Sequence, residues 1–214
     1  ETGVSTFFLK HKIDTGDIIF QEKVPISDTE TAGTLHDKLM EVGGNLVVKT
    51  VDAIEKGNFE LKVQENSETK EAPKIFKEDC KIDWSKSMKK INNFVRGLSP
   101  YPCAWTEFID TDGKILSTKI YKVKVLDKKK YKPSVETDNK TFIRINTPKG
   151  KLSIIEFQPA GKRKMKVSEY LKGNDFVFHV EGNPINYATV QVNYRGAQRK
   201  SGVPYSGTHI LRHG

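Results

Sequence analysis

The strongest constraint on the fold is a run of apolar residues that begins some thirty positions into the chain. Leu35, Leu39, Val42, Leu46, Val47, Val51 and Ile54 recur at helical spacing, which puts them on one face of an amphipathic α-helix. Thr34 with Asp37 predicts a capping box at its start, and Gly57 sits where a C-terminal glycine cap belongs. Gly43-Gly44 marks the point at which the helix would break in two. Ahead of it, residues 3–10 and 18–26 read as two short strands around the turn residues Asp14-Thr15-Gly16-Asp17. A strand–turn–strand followed by a long helix fits the tail end of an α/β domain.

The pattern then changes. Residues 64–76 are polar and contain one proline, which is linker composition. A second helix is predicted from an N-cap at Ser85 to Leu98, with Met88, Ile91, Val95 and Leu98 as its apolar stripe. Beyond Pro102 the period becomes that of strands: AWTEFI, KILSTKIYKVKVLD, TFIRIN and KLSIIEF, punctuated by turns at 111–113 and 147–150. Several short strands in a small space predict a small β-barrel, and an OB-like fold is one such barrel. A basic loop at 161–166 and a helical turn in VSEYLKG complete it. The expected organisation is therefore an α/β remnant over 1–63, a linker over 64–76 and an OB-like domain over 77–174. Residues 175–214 are left as an unassigned tail. Lysine outnumbers arginine 29 to 3 in residues 1–175, whereas the last 39 residues hold one lysine and three arginines. That reversal predicts a foreign or frameshifted segment. FVFHV and YATVQVNY there could pair as a hairpin, and His209 with His213 is too thin a pair for a metal site.

Charge divides along the same lines. Residues 1–69 carry net −6, residues 70–175 net +12 and the remainder +3. The basic middle predicts a module that faces a polyanion. Lys86, Lys89, Lys90 and Arg96 on the second helix, and Lys162, Arg163, Lys164 and Lys166 in the loop, are the candidate phosphate contacts. The competing reading is a solvated lysine-rich surface, and it suffices for Lys128-Lys129-Lys130. Trp84, Tyr101 and Trp105 suit core or hinge packing better than base stacking. Cys80 and Cys103 read as reduced thiols of a cytoplasmic protein. No run approaches the length of a membrane helix, and the N-terminal residues lack a signal-peptide layout. With 36% hydrophobic and 29% charged residues, the chain is neither collagenous nor wholly disordered.

Asp14 admits three readings. Asp-Thr-Gly occurs on the catalytic loops of aspartic proteases, but that chemistry needs two carboxylates sharing a proton, and this sequence has a single such tripeptide. As an ordinary turn residue, Asp14 would bond nearby backbone N–H groups through its carboxylate. As a catalytic residue, it would sit at a strand end beside a glycine that lets a ligand come close.

Three stretches favour the last reading. ETGVSTFFLKHKIDTGDIIFQEKVPISDTETAGTLHDKL, KIDWSKSMKKINNFVRGLSPYPCAWTEF and EFQPAGKRKM occur in order and well spaced. Together they closely resemble the folate-dependent formyltransferase family, and within it the members that formylate methionyl-tRNA. The likeness covers residues 1 to about 174. It implies formyl transfer from 10-formyltetrahydrofolate to the amino group of initiator Met-tRNA, without a metal, by a monomeric cytoplasmic enzyme. Asp14 would be catalytic, and Ile13, Asp14, Thr15, Gly16 and Asp17 would line the folate. The resemblance also implies an Asn and a His on earlier strands that stabilise the developing oxyanion. No such strands are found here, and neither His11 nor His36 occupies the matching motif. The sequence is thus expected to correspond to the C-terminal two-thirds of such an enzyme and to be inactive alone. A binding module that retains tRNA affinity without chemistry is the alternative, and a formyltransferase acting on a sugar-nucleotide amine is a weaker third reading.

Overall fold

The computed structural model describes residues 1–12, 14–64, 72–109, 115–172 and 179–180. They divide into two units, Glu1–Cys80 with Arg96–Pro102, and Lys81–Val95 with the chain from Cys103 onward. Ile13, the 111–113 turn, most of the 64–76 linker and nearly all of the 175–214 tail, with its hairpin and histidine pair, lie outside the described residues.

In the first unit, β1 (Thr2–Phe7) pairs antiparallel with β2 (Ile18–Val24), Thr2 opposite Val24 and Phe7 opposite Ile18. Both strands are shorter than their apolar text suggests: β1 goes out of register between Thr6 and Phe7 and ends at Phe7, and β2 ends at Val24, just before Pro25. One helix, α1 (Ala32–Glu55), packs on this pair. It runs through Gly43-Gly44 without a break. Gly43 faces Val4, where even an added Cβ would make only ordinary contact at 3.5 Å. Tertiary packing there outweighs glycine's poor helix propensity. Thr50 ties helix to strand, its hydroxyl donating to Leu46 O and lying 2.9 Å from the Thr6 hydroxyl, from which it can accept.

The N-cap lies three residues before the expected one. Thr31 Oγ1 accepts from Thr34 N at 3.2 Å, and Thr34 Oγ1 accepts from Thr31 N at 3.0 Å. Threonine at both ends of the box supplies the reciprocal bonds that Glu or Gln usually completes. At the other end the glycine cap falls where the sequence puts it. Gly57 has φ +63°, Asn58 N donates to Ala53 O, and Gly57 N donates to Ile54 O, which is a Schellman closure.

The second unit is one antiparallel sheet in the order β5-β6-β7-β4-β3-β9, with β8 added to β7. Its strands are β3 (Ala104–Ile109), β4 (Ile115–Asp127), β5 (Ser134–Thr137), β6 (Ile143–Thr147), β7 (Gly150–Pro159), β8 (Met165–Lys166) and β9 (His179–Val180). Among the described residues this hydrogen-bonded path is open rather than a closed ring. The four strands expected from periodicity are all present. β5 was not legible, being four residues long and flanked by lysine, proline and aspartate. α2 (Met88–Leu98) begins three residues after the expected Ser85 cap. Asp83 holds Ser85 N in a turn of its own, and Ser87 takes the capping place, its Oγ accepting from Lys90 N and its carbonyl from Ile91 N. α3 (Val167–Leu171) is the short helical turn.

Met88, Ile91 and Val95 of α2 are buried with Phe108, Ile120, Ile145 and Phe157 of the sheet. Phe157 meets Tyr170 of α3 edge-on at 5.1 Å, worth about 1 kcal/mol beyond the buried area. Gly150, at φ +142°, closes the β6–β7 hairpin where a Cβ would come within 2.5 Å of Asp127 O and Met88 Cγ. Trp84 is a core residue here, 2% exposed, donating from Nε1 to Thr106 Oγ1 at 3.0 Å. Both cysteines are buried thiols outside any disulfide, Cys80 Sγ donating to Phe76 O and Cys103 Sγ to Ile120 O.

The two units differ in how much apolar surface they leave open. Of the fifteen large hydrophobic side chains exposed among the described residues, thirteen lie in the first unit. Met40, Val47, Val48 and Val51 form an exposed stripe along α1, while only Leu46 and Thr50 of that helix are buried. With so little burial to offset chain entropy, residues 1–66 are expected to open first. Limited proteolysis should cut them well before any site within 115–172; simultaneous cleavage would contradict this.

Candidate functional site

The turn joining β1 to β2 carries the residues singled out for chemistry. Its shape is set by backbone crowding. Gly16 is buried, and a Cβ there would fall 1.5 Å from Phe8 O, so no other residue fits without moving main chain. Phe8 N donates to Asp17 O at 3.2 Å, and Thr15 Oγ1 donates to Lys12 O at 2.8 Å. Gln64, beyond α1, reaches back with its side-chain amide to Gly16 O at 2.6 Å and Asp14 O at 3.1 Å.

This lattice presents Asp14 in the left-handed region at φ +57°, exposed to solvent. Non-glycine residues are uncommon there, and aspartate is among those that tolerate it. An ordinary turn aspartate would cap nearby N–H groups with its carboxylate. Among the described residues, the hydrogen bonds of the turn come instead from Thr15, Gln64 and the main chain, and the Asp14 carboxylate has no partner. Asp17 differs, since both of its carboxylate oxygens are held by Lys10 Nζ, at 2.9 and 3.0 Å. Of the five residues assigned to a folate contact, Ile13 lies outside the described residues. Thr15, Gly16 and Asp17 shape the turn, and Asp14 alone offers a free ionisable group. His36 is exposed on α1, its Nδ1 3.3 Å from Asp37 Oδ1.

The basic residues also divide. Lys89, Lys90, Lys162, Arg163 and Lys166 are exposed with no acidic partner within 4 Å among the described residues. Lys86 pairs with Asp83 at 3.3 Å, and Lys164 with Glu156 at 2.8 Å. Arg96 is committed elsewhere, donating through Nη1 to Ser27 O at 3.1 Å and to Glu30 O at 2.9 Å. A guanidinium spent on carbonyls that precede α1 supports the fold of the first unit, so Arg96 is a poor phosphate contact.

Sequence reasoning passed over three lysines on β4. Lys119, Lys122 and Lys124 are all exposed, while Thr118, Ile120 and Val123 point inward. The change of parity comes from the irregular pairing between Ile120 and Val123. Two-residue alternation was the signal, and the bulge disguised it. Trp105 lies opposite Lys119 across the β3–β4 ladder, with Lys81 Nζ 5.1 Å from its ring. Tyr101 is 84% exposed on the Ser99–Pro102 segment, in which both X-Pro peptides are cis. Among the described residues no group of three or more His, Cys, Asp or Glu side chains could hold a metal ion, and no helix is long and apolar enough to cross a membrane.

Comparison with known proteins locates this arrangement. Residues 1–51 match the formyl transferase family and residues 74–175 match the formyl transferase C-terminal domain. The methionyl-tRNA formyltransferase of Bacteroides fragilis is 45% identical over 179 residues, covering 81% of this chain and 55% of that protein. The protein of the same name from Azobacteroides pseudotrichonymphae is 46% identical over 185 residues, 83% of this chain and 57% of its own length. The chain thus spans a little over half the length of these curated relatives. In fold it is similar to the crystal structure of HypX from Aquifex aeolicus in complex with tetrahydrofolic acid. That likeness has a TM-score of 0.57 at 20% identity, over 79% of this chain and 29% of that one.

Proposed function

This chain belongs to the formyl transferase family, and from that membership we propose that it serves formyl transfer from 10-formyltetrahydrofolate to the amino group of initiator Met-tRNA. The observation that carries the proposal is the Asp14 carboxylate, which has no partner among the described residues, on a turn held by Thr15, Gln64 and the main chain. The chemistry gives such a group work to do. The amine nitrogen bonds to the formyl carbon, the bond from that carbon to the folate nitrogen breaks, and a proton passes from the amine to the departing nitrogen. Asp14 orients and charges a histidine, or moves that proton itself. The glycine at position 16 lets the turn close against Phe8 and so holds the backbone that would face the pterin.

The second unit supplies the grip on RNA, through unpaired lysines that contact phosphates without reading sequence. Its open sheet is read here as the OB-like barrel of the family, and the protein as a cytoplasmic monomer. Catalysis also needs groups to stabilise the oxyanion. The 214-residue chain assayed alone is therefore expected to transfer no formyl group to Met-tRNA. Formylation by the isolated chain above the background without enzyme would refute that reading. The alternative, an RNA-binding module without chemistry, rests on the same lysines. It would gain if joining the chain to the part of a relative that it does not span still produced no activity.

A further inference from the structure

Glu156 sits at the centre of the basic face of the second unit. In the ladders it lies opposite Lys122 of β4 on one side and Lys166 of β8 on the other. Lys164, from the loop before β8, completes the ring with its Nζ 2.8 Å from Glu156 Oε2. Three cations thus surround one carboxylate, and their attraction holds that carboxyl below the ordinary glutamate range, the Lys164 hydrogen bond being the largest cause. The carboxylate is not needed to shape the loop. Ala160 N donates to Ser117 O, Lys162 N to Pro159 O, and Gln158 Nε2 to Lys162 O. Lys164 also rests over the Tyr121 ring at 4.8 Å, and the Tyr121 hydroxyl is fixed to Gln158 Oε1 at 2.8 Å.

We propose that Glu156 is an affinity-limiting counter-charge on the RNA-contact face formed by Lys119, Lys122, Lys124, Lys164 and Lys166. The proposal rests on the RNA-binding reading above. A docked phosphate and Glu156 compete for the same ammonium groups, so the carboxylate weakens the complex and shortens its lifetime. Binding of successive tRNA molecules then needs no conformational step to release each one. Lys164 is the residue most affected, because its charge is already answered in the free protein.

The test uses the whole chain and an acceptor-stem RNA hairpin, titrated by filter binding between about 50 and 200 mM salt. Glu156→Gln keeps the shape and an acceptor for Lys164 while removing the charge. It is expected to bind about three- to tenfold tighter, with the slope of log K against log salt steeper by about one. A double-mutant cycle removes any ambiguity from altered folding. Lys164→Gln should cost little in the wild-type background and several-fold in Glu156→Gln, whereas Lys166→Gln should cost affinity in both. Wild-type binding with an unchanged or weaker Glu156→Gln complex overturns the counter-charge and leaves the RNA reading standing. Absence of binding by the wild type overturns both.

Discussion

Asp14→Asn, placed in a chimera that joins this chain to the part of the Bacteroides fragilis relative it does not span, is expected to lower kcat by about 10²- to 10⁴-fold, the usual range for a positioned acid–base group. Asparagine preserves size and polarity and removes only the charge and the proton affinity. The Asp14 backbone carbonyl, not its side chain, receives the Gln64 amide, so the substitution spares the bond that ties position 14 to the rest of the unit. The effect should fall on kcat, with KM for the folate nearly unchanged, because an interaction used in the transition state was lost. A chimera that retains full kcat after Asp14→Asn would remove Asp14 from the chemistry. The comparison needs a chimera that is active to begin with, so kcat of the parent is the first number to obtain.

Salt should act strongly on the proposed binding of RNA. If the face of β4, β7 and β8 with its neighbouring loop makes six or more phosphate contacts, affinity for acceptor-stem RNA is expected to fall by about 10³-fold between about 50 and 200 mM salt. Counterion release sets that slope, so it reports how many lysines touch phosphate rather than how strongly any one does. Simultaneous Lys119→Gln, Lys122→Gln and Lys124→Gln should flatten the slope by about three. The same triple change should leave the thermal transition of the second unit nearly unaltered, since none of the three lysines makes a salt bridge within 4 Å among the described residues, and Glu156 keeps Lys164 and Lys166 when Lys122 is lost. A slope indifferent to the substitutions would move the RNA to another face.

What the sequence disclosed follows a physical division. Features encoded within a few residues were legible: the helical period of α1, though Val47, Val51 and Ile54 of its expected apolar face are exposed, the Gly57 cap, and the strands β3, β4, β6 and β7. The misplaced starts of both long helices share one cause. Several Ser, Thr and Asp side chains lie close together, each able to cap, and packing selects among them. β5 escaped because four residues give alternation too little room. The site was harder to see. Its motif marked Asp14 as important, yet the fate of the carboxylate depended on which other groups satisfied the turn. Gln64, about fifty residues away, carries no local signal for that task. Arg96 misled for the same reason, as its carbonyl partners lie 66 and 69 residues earlier. The β4 lysines were in plain view but out of phase, and pairing alone shows where the phase slips.

The reach of Gln64 across the turn has a practical side. It stands at the edge of the stretch that reads as dispensable spacer, where anyone shortening, replacing or tagging the connection would begin cutting. Removing that one amide would leave two carbonyl groups, those of Asp14 and Gly16, without their side-chain donor. The Asp14 carboxylate would then drift on a loosened perch. An editing scheme for this chain should therefore count position 64 as part of the machinery, and start any splice after it.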